Sequence, residues 1–562
     1  MKKILFDISS LLIAVITVSM FIACSSDDNL DNTRREESKQ QLTFTLTDED
    51  FNADEDVSVT RAGKQSLEVA KDTIDLGNDV FAEATLERDT ARDTKPATRA
   101  VGMSNGTYTI LAYQSGVLKG TLKGTLTSNV FTATSANQSL SLDPGIYTFY
   151  CCNDKVNISG NNLTVNRADA GTARIGITTK VITATPAKQK VDFVMKHVGA
   201  RVRVVLAGYM PFNNNVEAHI VTKDAISGTR TLDATMGTYT NDNSVAANTT
   251  LQNDGYQYLN SGYTRGSNGT FNAEQSGYSY ILPETNLSSL MVQLSSLKIY
   301  KKTLSNVSIT PTSLPMPPSL NNTVANGSYI LRITLKYRYK ILYSDGTVVP
   351  FGGNYSGSGK MIGVVINDNN GTPFSGTAME LNNLDLDREY SISQMTTQKN
   401  ITPPTKPSDD MQGYHWTWDV CATARYTGIT TKHNGDVMDA TRSQAQMGTV
   451  STISKSYLPS AGEWAEACDK LFFGETIPNA NQWAERIYTD CFEAIIGNAP
   501  SGWYWTSSQY KDYDDDEMHC AIFVGDKSSS NMDITGIMGK VNIGFSPLIW
   551  PSSCKVRRFI HF

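Results

Sequence analysis

The run Leu331-Arg332-Ile333-Thr334-Leu335-Lys336-Tyr337-Arg338-Tyr339-Lys340-Ile341 alternates apolar or aromatic side chains with cationic or hydroxyl side chains along its whole length. Successive side chains of a β-strand point to opposite faces of the sheet, so this run predicts a strand with one face in a core and one cationic face in water. The step Ser344-Asp345-Gly346 favours a turn into Thr347-Val348-Val349, which predicts a β-hairpin. The stretch therefore predicts an antiparallel sheet with one solvated face.

Shorter runs upstream also have strand character. They lie at Gln41–Thr47, Tyr108–Tyr113, Ile146–Cys152, Val191–Met195 and Val202–Leu206. No long helical pattern precedes residue 400, and residues 48–99 form a charged stretch between two strands. The length fits two successive β-sandwiches, at 41–212 and 213–400.

The composition changes after a stiff proline-rich linker at 401–412. Ser460-Ala461-Gly462-Glu463 is a capping box, which predicts the start of a helix. A second helix is predicted from Trp483 to Ile495, closed by Gly497. Residues 413–562 are therefore predicted to form an α+β domain, and the chain as a whole is predicted to be mostly β.

The N-terminus combines Lys2-Lys3, an apolar run from Ile4 to Ile22, and Ala23-Cys24. This pattern is typical of a lipoprotein signal peptide at 1–24, with Cys24 as the lipidated residue, followed by a polar tether at 25–40. A membrane-spanning helix is the alternative interpretation of the apolar run. The acidic step Ser25-Ser26-Asp27-Asp28 resembles the signal that directs lipoproteins of Bacteroidota to the cell surface.

Charge and motif content exclude several functions. The chain of 562 residues has a net charge of −7 and no basic block, so nucleic acid is not an expected partner. No histidine pair has metal-ligand spacing on a helix, and no nucleophile elbow is present. We expect no cofactor, no metal site and no catalytic residues.

The first 400 residues resemble a fimbrillin, the two-domain subunit of donor-strand-exchange (type V) pili of Bacteroidota. The resemblance is carried by the lipoprotein start and by the isolated strand with Leu42, Phe44 and Leu46. It also rests on further stretches in order: Thr60-Arg61-Ala62, Thr98-Arg99-Ala100, Gly106–Tyr113 and Phe193–Val202. It implies transthyretin-like sandwiches and a place among other pilus subunits.

The same resemblance implies a mechanism. A trypsin-like protease would cut after Arg61, or alternatively after Arg99, and remove the lipidated head with the first strand. Leu42, Phe44 and Leu46 would close a groove until that cut, and a strand of another subunit would then fill it. If neither arginine is cut, the protein stays anchored at Cys24.

Residues 413–562 resemble the C-type-lectin-like domains that include the formylglycine-generating enzyme and the Fibrobacter major-paralogue family. The matching stretches are Tyr457–Trp464, Trp503–Ser508 and Lys555–Phe559. The Arg-Gly-Gly-rich segment of the enzyme is missing, so an enzyme is not expected, and Cys468 and Cys491 are interpreted as buried structural thiols.

Four residues are candidates for ligand binding in this domain. Trp503 and Trp505 share one strand face and would form a stacking platform if exposed, although core packing is favoured. Asp514 and Asp516 lie in an acidic loop that could attract a cation, although a solvated turn is favoured. Cys520 and Cys554 are a possible disulfide, because lectin-like domains often contain one there.

The preferred hypothesis is a fimbrial subunit, most simply a tip adhesin, on the outer membrane or in the fimbrium. Its C-terminal domain would bind a host or microbial glycan or protein. The alternative is an uncleaved outer-membrane lipoprotein that binds glycan or anchors a pilus. An enzyme is the least favoured hypothesis.

Overall fold

The computed structural model describes most of the chain between residues 40 and 562. The described ranges are 40–51, 68–89, 103–128, 130–134, 139–210, 212, 217–242, 244–251, 258–259, 270–275, 277–295, 297–304, 307–309, 323–384, 389–391, 409–420, 437–443, 450–471, 475–476, 485–486, 490–511, 517–524 and 553–562. All secondary-structure elements, contacts and distances given below concern residues in these ranges.

Strands dominate the fold. In chain order, the first are β1 (Gln40–Asp48), β2 (Glu68–Asp75), β3 (Val80–Arg88), β4 (Gly106–Gln114), β5 (Val117–Thr127), β6 (Val130–Ala133), β7 (Ser141–Leu142), β8 (Gly145–Asn153), β9 (Asn157–Ser159), β10 (Asn162–Asn166), β11 (Arg174–Ile182), β12 (Lys188–His197) and β13 (Ala200–Gly208). The next are β14 (Glu217–Thr222), β15 (Thr229–Asp233), β16 (Thr238–Asn241), β17 (Tyr258–Leu259), β18 (Phe271–Gln275), β19 (Ser279–Ile281), β20 (Leu290–Ser295), β21 (Leu297–Ile299), β22 (Lys302–Leu304), β23 (Val307–Ile309) and β24 (Ser328–Tyr337). The last are β25 (Lys340–Tyr343), β26 (Val348–Pro350), β27 (Met361–Asn367), β28 (Thr377–Glu380), β29 (Tyr390–Ser391), β30 (Glu475–Thr476), β31 (Glu485–Arg486), β32 (Gly502–Lys511), β33 (Glu517–Val524), β34 (Ser553–Cys554) and β35 (Phe559–His561).

Helices are few and short in the described ranges. They are α1 (Val437–Ser443), α2 (Ala461–Leu471) and α3 (Asp490–Ile495), with 3₁₀ turns at Arg167–Asp169 and Leu287–Ser289 and a π-helical segment at His415–Val420. The prediction of a mostly β chain is confirmed. No described helix is long and apolar enough to cross a bilayer.

The first group of strands forms an eight-stranded sheet in the order β6-β5-β4-β8-β11-β12-β1-β7. One face lines a core made of Leu42, Leu46, Tyr108, Ile110, Leu122, Tyr147, Phe149, Val191, Phe193 and Met195. The other face contacts the four-stranded sheet β16-β15-β10-β9 through a second core that includes Leu111, Tyr113, Tyr150, Leu163, Val165 and Leu232. This arrangement places β1 next to the last strand of the sheet.

The second group forms a seven-stranded sheet in the order β17-β18-β13-β24-β3-β2, with β19 also paired to β13. β24 is parallel to β13 and antiparallel to β3. The core of this unit includes Ala82, Ala84, Leu86, Val202, Val204, Ile220, Val292, Leu294, Ile333 and Leu335. It is closed by β14-β20-β23 and by the hairpin β21–β22, since Ile220, Val292 and Leu294 come from β14 and β20.

The third group forms a five-stranded sheet in the order β26-β25-β27-β28-β35. The hydrophobic cluster of the second group continues into it without a break, through Tyr339, Ile341, Val364, Met379, Trp464 and Phe559. The predicted turn is present between β25 and β26, and Gly346 adopts φ +84° there. The second and third units therefore share one core.

The stretch 331–341 is two strands and not one. β24 ends at Tyr337 and β25 begins at Lys340, in different sheets. Between them the Arg338 amide donates to the Asp79 carbonyl at 2.6 Å, and the Tyr339 hydroxyl donates to the Leu471 carbonyl at 2.8 Å. The alternation continues through the break because Ile333 and Leu335 of β24 and Ile341 of β25 are all buried in the same hydrophobic cluster.

Sheet membership differs from the ranges expected from sequence. The hairpin β2–β3 lies within the stretch 48–99, and it joins the second sheet together with β13. β15 and β16 lie beyond residue 212 but belong to the four-stranded sheet of the first group. Strand pairs also connect the two sides of 401–412, since β28 pairs with β35 and β29 with β34.

The two predicted helices have different outcomes. α2 begins after Ser460 with the expected capping box, in which the Ser460 amide donates to Oε2 of Glu463 at 2.7 Å. The second helix is shorter than predicted: α3 starts at Asp490, and β31 occupies Glu485–Arg486. Gly497 closes α3 at φ +76°, as its position predicts.

Candidate functional site

β1 occupies a position between two strands that come from much later in the chain. It pairs in parallel with β12, from Gln41 opposite Lys188 to Asp48 opposite Met195. On its other side, β7 pairs only with the start of β1, at Gln40 and Gln41. Most of the length of β1 is therefore held by one neighbouring strand.

Alternate side chains of β1 face the core of the first unit. Leu42 and Leu46 are 4% and 6% exposed. Phe44 is half-buried, with its ring centroid 6.2 Å from that of Phe131 and 6.3 Å from that of Phe193. Phe131 lies on β6, at the far end of the same sheet, so β1 closes the core against the opposite end of that sheet. The alternation predicted for this strand is confirmed.

Backbone hydrogen bonds extend past both ends of the β1–β12 ladder. The Gln41 amide donates to the Ala187 carbonyl at 2.9 Å, and the Glu49 amide donates to the Met195 carbonyl at 3.0 Å. The Leu42 amide donates to the Leu140 carbonyl at 3.3 Å. Without β1, the carbonyls of Ala187 and Met195 at the facing edge of β12 would lose these partners, as would the Leu140 carbonyl. An unpaired strand edge favours the binding of another strand.

The last residue of β1 and the residues that follow it hold the strand at one end. The carboxylate of Asp48 lies 3.0 Å from Nε of Arg174, and Glu49 lies 3.3 Å from Nζ of Lys196. Nδ2 of Asn326 donates to Oε1 of Glu49 at 3.1 Å and to the carbonyl of Asp50 at 2.8 Å. Asn326 belongs to the loop before β24, so this segment joins the first unit to the second.

Phe51 completes this contact. Its ring centroid lies 3.6 Å from that of His197, and the guanidinium of Arg201 lies over the same ring at 4.2 Å. We call Asp48, Glu49, Asp50 and Phe51 the clasp. The sequence analysis does not identify the clasp residues. The signal that could have found them is the aromatic Phe51 directly after three acidic residues.

Burial dominates the electrostatics around the clasp. Loss of hydration lowers the pKa of His197 to about 2, and the charges of Arg174 and Arg201 act in the same direction. Burial raises the pKa of Asp48, and the Arg174 cation beside it opposes that shift. The clasp therefore places carboxylates beside cations that surround a neutral imidazole.

Several predicted residues lie outside the described ranges. They are Cys24, Arg61, Arg99, Asp514 and Asp516. The predicted lipidation, the two processing sites and the acidic loop therefore stay predictions.

The hairpin β2–β3 lies between the two predicted cutting sites and was missed in the sequence. β3 pairs with β24 along its whole length, from Val80 opposite Tyr337 to Arg88 opposite Tyr329. Glu83 lies 2.8 Å from Nζ of Lys336. Further ion pairs join Glu87 to Arg332 at 3.0 Å, Asp75 to Arg338 at 2.6 Å and Asp89 to Arg203 at 3.1 Å. The cationic face of the stretch 331–341 is thus covered in part by acidic side chains and does not face water alone.

The two candidate tryptophans pack against the core of the last unit, which is the alternative that the sequence favours. Trp505 is 3% exposed, so its ring is not available to stack against a ligand. Trp503 is half-buried against the same cluster, which contains Leu384, Val437, Met438, Leu458, Cys554 and Val556. Both rings cover α1 and the end of β34, because the domain is small and needs large side chains in its core.

The possible Cys520–Cys554 disulfide is not formed in this structure. Cys554 is a free, buried thiol, and burial raises its pKa to about 12. β33, which contains Cys520, pairs with one side of β32, and Lys555 bridges to Tyr504 of β32. Strands on either side of a third are about 9–10 Å apart, beyond the roughly 7 Å limit between the Cα atoms of a disulfide.

A buried polar network organises the start of α2. Glu463 accepts hydrogen bonds from the Tyr457 hydroxyl at 3.1 Å and from the Ser460 hydroxyl at 2.9 Å, and burial raises its pKa to about 7. Asp410 accepts from the Ser508 hydroxyl at 2.6 Å. These contacts hold the start of α2 together and join β32 to the segment before the π-helical turn, so the network is structural.

Two of the described thiols of this unit, Cys468 and Cys491, are inert core groups. Cys468 and Cys491 are 3% and 0% exposed, and burial raises their pKa values to about 12 and about 11. Among the residues that the structure describes, no group of three or more His, Cys, Asp or Glu side chains is arranged to bind a metal.

Comparisons with known proteins give only structural similarities. No protein-family model matches the chain, and no curated protein matches it. A fimbrial protein from Bacteroides ovatus ATCC 8483 is similar at 10% identity over 94% of this chain and 100% of that chain, with a TM-score of 0.22. A fimbrial protein from Bacteroides vulgatus ATCC 8482 is similar at 14% identity over 41% and 91% of the two chains, with a TM-score of 0.26. A fimbrial assembly protein from Parabacteroides distasonis ATCC 8503 is similar at 9% identity over 44% and 91%, with a TM-score of 0.24. Since these TM-scores lie below 0.5, a function has to be argued from the site itself.

Proposed function

We propose that this chain is a cell-surface fimbrial subunit that assembles by donor-strand exchange after its first strand has been removed. One observation carries the proposal: β1 is supplied from the N-terminus, lies beside β12 in parallel, and fills the core with Leu42 and Leu46. A strand held in this way can be replaced by a strand of another chain without changing the rest of the sheet.

The energetics favour a filled groove. Burying one leucine side chain contributes about 1.5–3 kcal/mol, and β1 buries two and half-buries Phe44. The amide and carbonyl groups of β12 add the cost of leaving buried backbone groups without partners. An emptied groove would therefore bind a new strand strongly, while the rest of the core keeps its own contacts.

Arg61 is the better cutting site of the two. Cutting after Arg61 would release β1 and leave the hairpin β2–β3 attached to the second sheet. Cutting after Arg99 would also release the hairpin, although Val80, Ala82, Ala84 and Leu86 are all buried beside β24. Loss of that internal strand would unfold the second unit, so only the first cut gives a subunit ready for assembly.

The C-terminal part of the chain suits a subunit that accepts a strand and donates none. β35 pairs with β28, and Phe559 and Ile560 are fully buried. Donation of this strand would require the third unit to open. A tip position follows, in which residues 413–562 contact a host or microbial glycan or protein.

The lipid at Cys24 would hold the precursor at the outer membrane until the cut. Other pilus subunits are then the assembly partners, through the groove that β1 leaves. No step in this proposal needs a catalytic residue or a cofactor.

N-terminal sequencing of the protein shed from cells tests the proposal. A mature chain that begins at Ala62 is the expected result, together with Arg61→Ala protein that stays lipid-anchored and unassembled. Arg99→Ala is the matched control, and it should assemble as the unaltered protein does. An intact acylated Cys24 on every copy would contradict assembly and support an anchored lipoprotein that binds glycan or anchors a pilus.

A further inference from the structure

The clasp is a separate contact from the apolar strand that it follows. Any strand with apolar side chains at the positions of Leu42, Phe44 and Leu46 could pack on this core. The clasp lies beyond these positions. It contacts a set of residues from four elements, which we call the socket: Arg174, Lys196, His197, Arg201 and Asn326.

The socket has a defined chemistry. Arg174 and Lys196 each face a carboxylate, and Nδ2 of Asn326 donates to two oxygen atoms of the clasp. His197 and Arg201 bracket the ring of Phe51. Arg201 also donates to the Ser328 hydroxyl at 2.8 Å and lies over Tyr278, so its position is fixed independently of the clasp.

Removal of β1 takes the clasp away with it. The socket would then present Arg174 and Lys196 without the clasp carboxylates that face them now, and Arg201 without the ring of Phe51. Burying cations beside one another is costly unless an anion compensates them. An aromatic ring that covers a guanidinium lowers this cost further.

We infer that the socket selects the incoming strand of the neighbouring subunit by requiring an acidic residue two positions after the last apolar strand position and an aromatic residue three positions further on. This inference rests on the proposed strand exchange. The pattern is the one that the chain itself presents at Leu46, Asp48 and Phe51. The strand alone fits many sequences, and the socket restricts which of them stays bound.

An exchange experiment on the protein that still contains β1 tests the inference. A site for a sequence-specific protease is inserted between residues 52 and 67, and the cut segment is then displaced by a fluorescent peptide of residues 40–51. The peptides carry Asp48→Asn, Phe51→Ala or, as matched control, Thr43→Ala at an exposed position of the same strand.

The Asp48→Asn and Phe51→Ala peptides are expected to leave at least about ten times faster than the unaltered peptide, a difference of about 1.4 kcal/mol. The first change removes the charge that faces Arg174, and the second removes the ring that lies between His197 and Arg201. The Thr43→Ala peptide should leave within about two-fold of the unaltered rate. A peptide with Asp48→Arg should regain slow release only on protein with Arg174→Asp.

The outcomes separate the two proposals. If the unaltered peptide never displaces the cut segment, strand exchange fails and this inference fails with it. If the unaltered peptide exchanges but all variants leave at its rate, strand exchange stands and the selective socket is overturned. Rescue of the charge-reversed pair supports the socket and excludes a general loss of peptide affinity.

Discussion

The N-terminal arm of this chain supplies strands to two different sheets, and the two contributions differ in kind. β1 lies beside one long neighbour and is otherwise covered only by the two-residue β7. β3 lies between β24 and β2 and is paired along its length on both sides. The comparison teaches that a strand near the N-terminus is replaceable only when the sheet can survive its loss.

The charge pattern separates the two strands in the same way. The outward side chains of β1 are threonines, whereas those of β3 include Glu83 and Glu87, which pair with Lys336 and Arg332. Ion pairs that are half-buried fix a register, so β3 is matched to one partner strand. β1 is matched to its site mainly through its inner face and the clasp.

Truncation of the N-terminal arm should show the difference between β1 and β3 most clearly. A chain that begins at Ala100 lacks β3, and we expect it to lose the cooperative unfolding of the second unit, a change comparable with the whole stability of a domain, about 5–15 kcal/mol. A chain that begins at Ala62 should keep that transition when the strand peptide of residues 40–51 is added. Urea unfolding followed by tryptophan fluorescence and circular dichroism measures both. Equal unfolding of the two chains would contradict the internal role of β3.

Two leucine-to-alanine substitutions, one in β1 and one in β3, should give effects of intermediate size. Leu86→Ala in β3 and Leu46→Ala in β1 should each lower the free energy of unfolding of their own unit by about 2–5 kcal/mol, because each removes a buried side chain and leaves a cavity. After exchange with an unaltered strand peptide, the Leu46→Ala defect should disappear, since that residue leaves with the cut segment. The Leu86→Ala defect should persist. Denaturant titrations before and after exchange decide the matter, and persistence of both defects would show that β1 is not replaced.

The pH dependence of the clasp region should give the smallest effect. The pKa of His197 is lowered to about 2 in the folded protein, while the unfolded chain takes up a proton near pH 6.5. Stability is therefore lost as the pH falls below about 6.5, by up to about 1.4 kcal/mol per pH unit, or about 2 kcal/mol between pH 6.5 and 5. His197→Gln should remove this part of the slope and leave the difference between pH 7 and 8 unchanged. Identical slopes for both proteins would place a protonated imidazole at this site.

The strands that could be predicted from the sequence are those whose alternation is local. β1 is predicted in this way because its alternate side chains are buried, and the hairpin β25–β26 is predicted because its turn residues have a local requirement. The hairpin β2–β3 was missed because its acids were interpreted as a solvated charged stretch. The cations at Arg332 and Lys336 were a usable signal, since a cationic strand face predicts an acidic neighbour.

Long-range partners could not be predicted. Phe51, His197 and Arg201 meet across about 150 residues of chain, and no spacing rule connects them. The break at Arg338 and Tyr339 was also invisible, because the period of two is the same on both sides of it. The sequence favours core packing for Trp505 but does not identify its partners, because α1 and β34 approach it only in the folded domain.

The direct passage from β24 to β25 has a mechanical consequence. Two residues connect these strands, and one hydrophobic cluster surrounds the passage, so the last unit has no hinge of its own at this point. A load applied to the last unit would reach β24 along the strand direction, where β3 and β13 flank it on both sides. The hydrogen bonds from β24 to β3 and β13 would then be strained together in shear and not opened one after another.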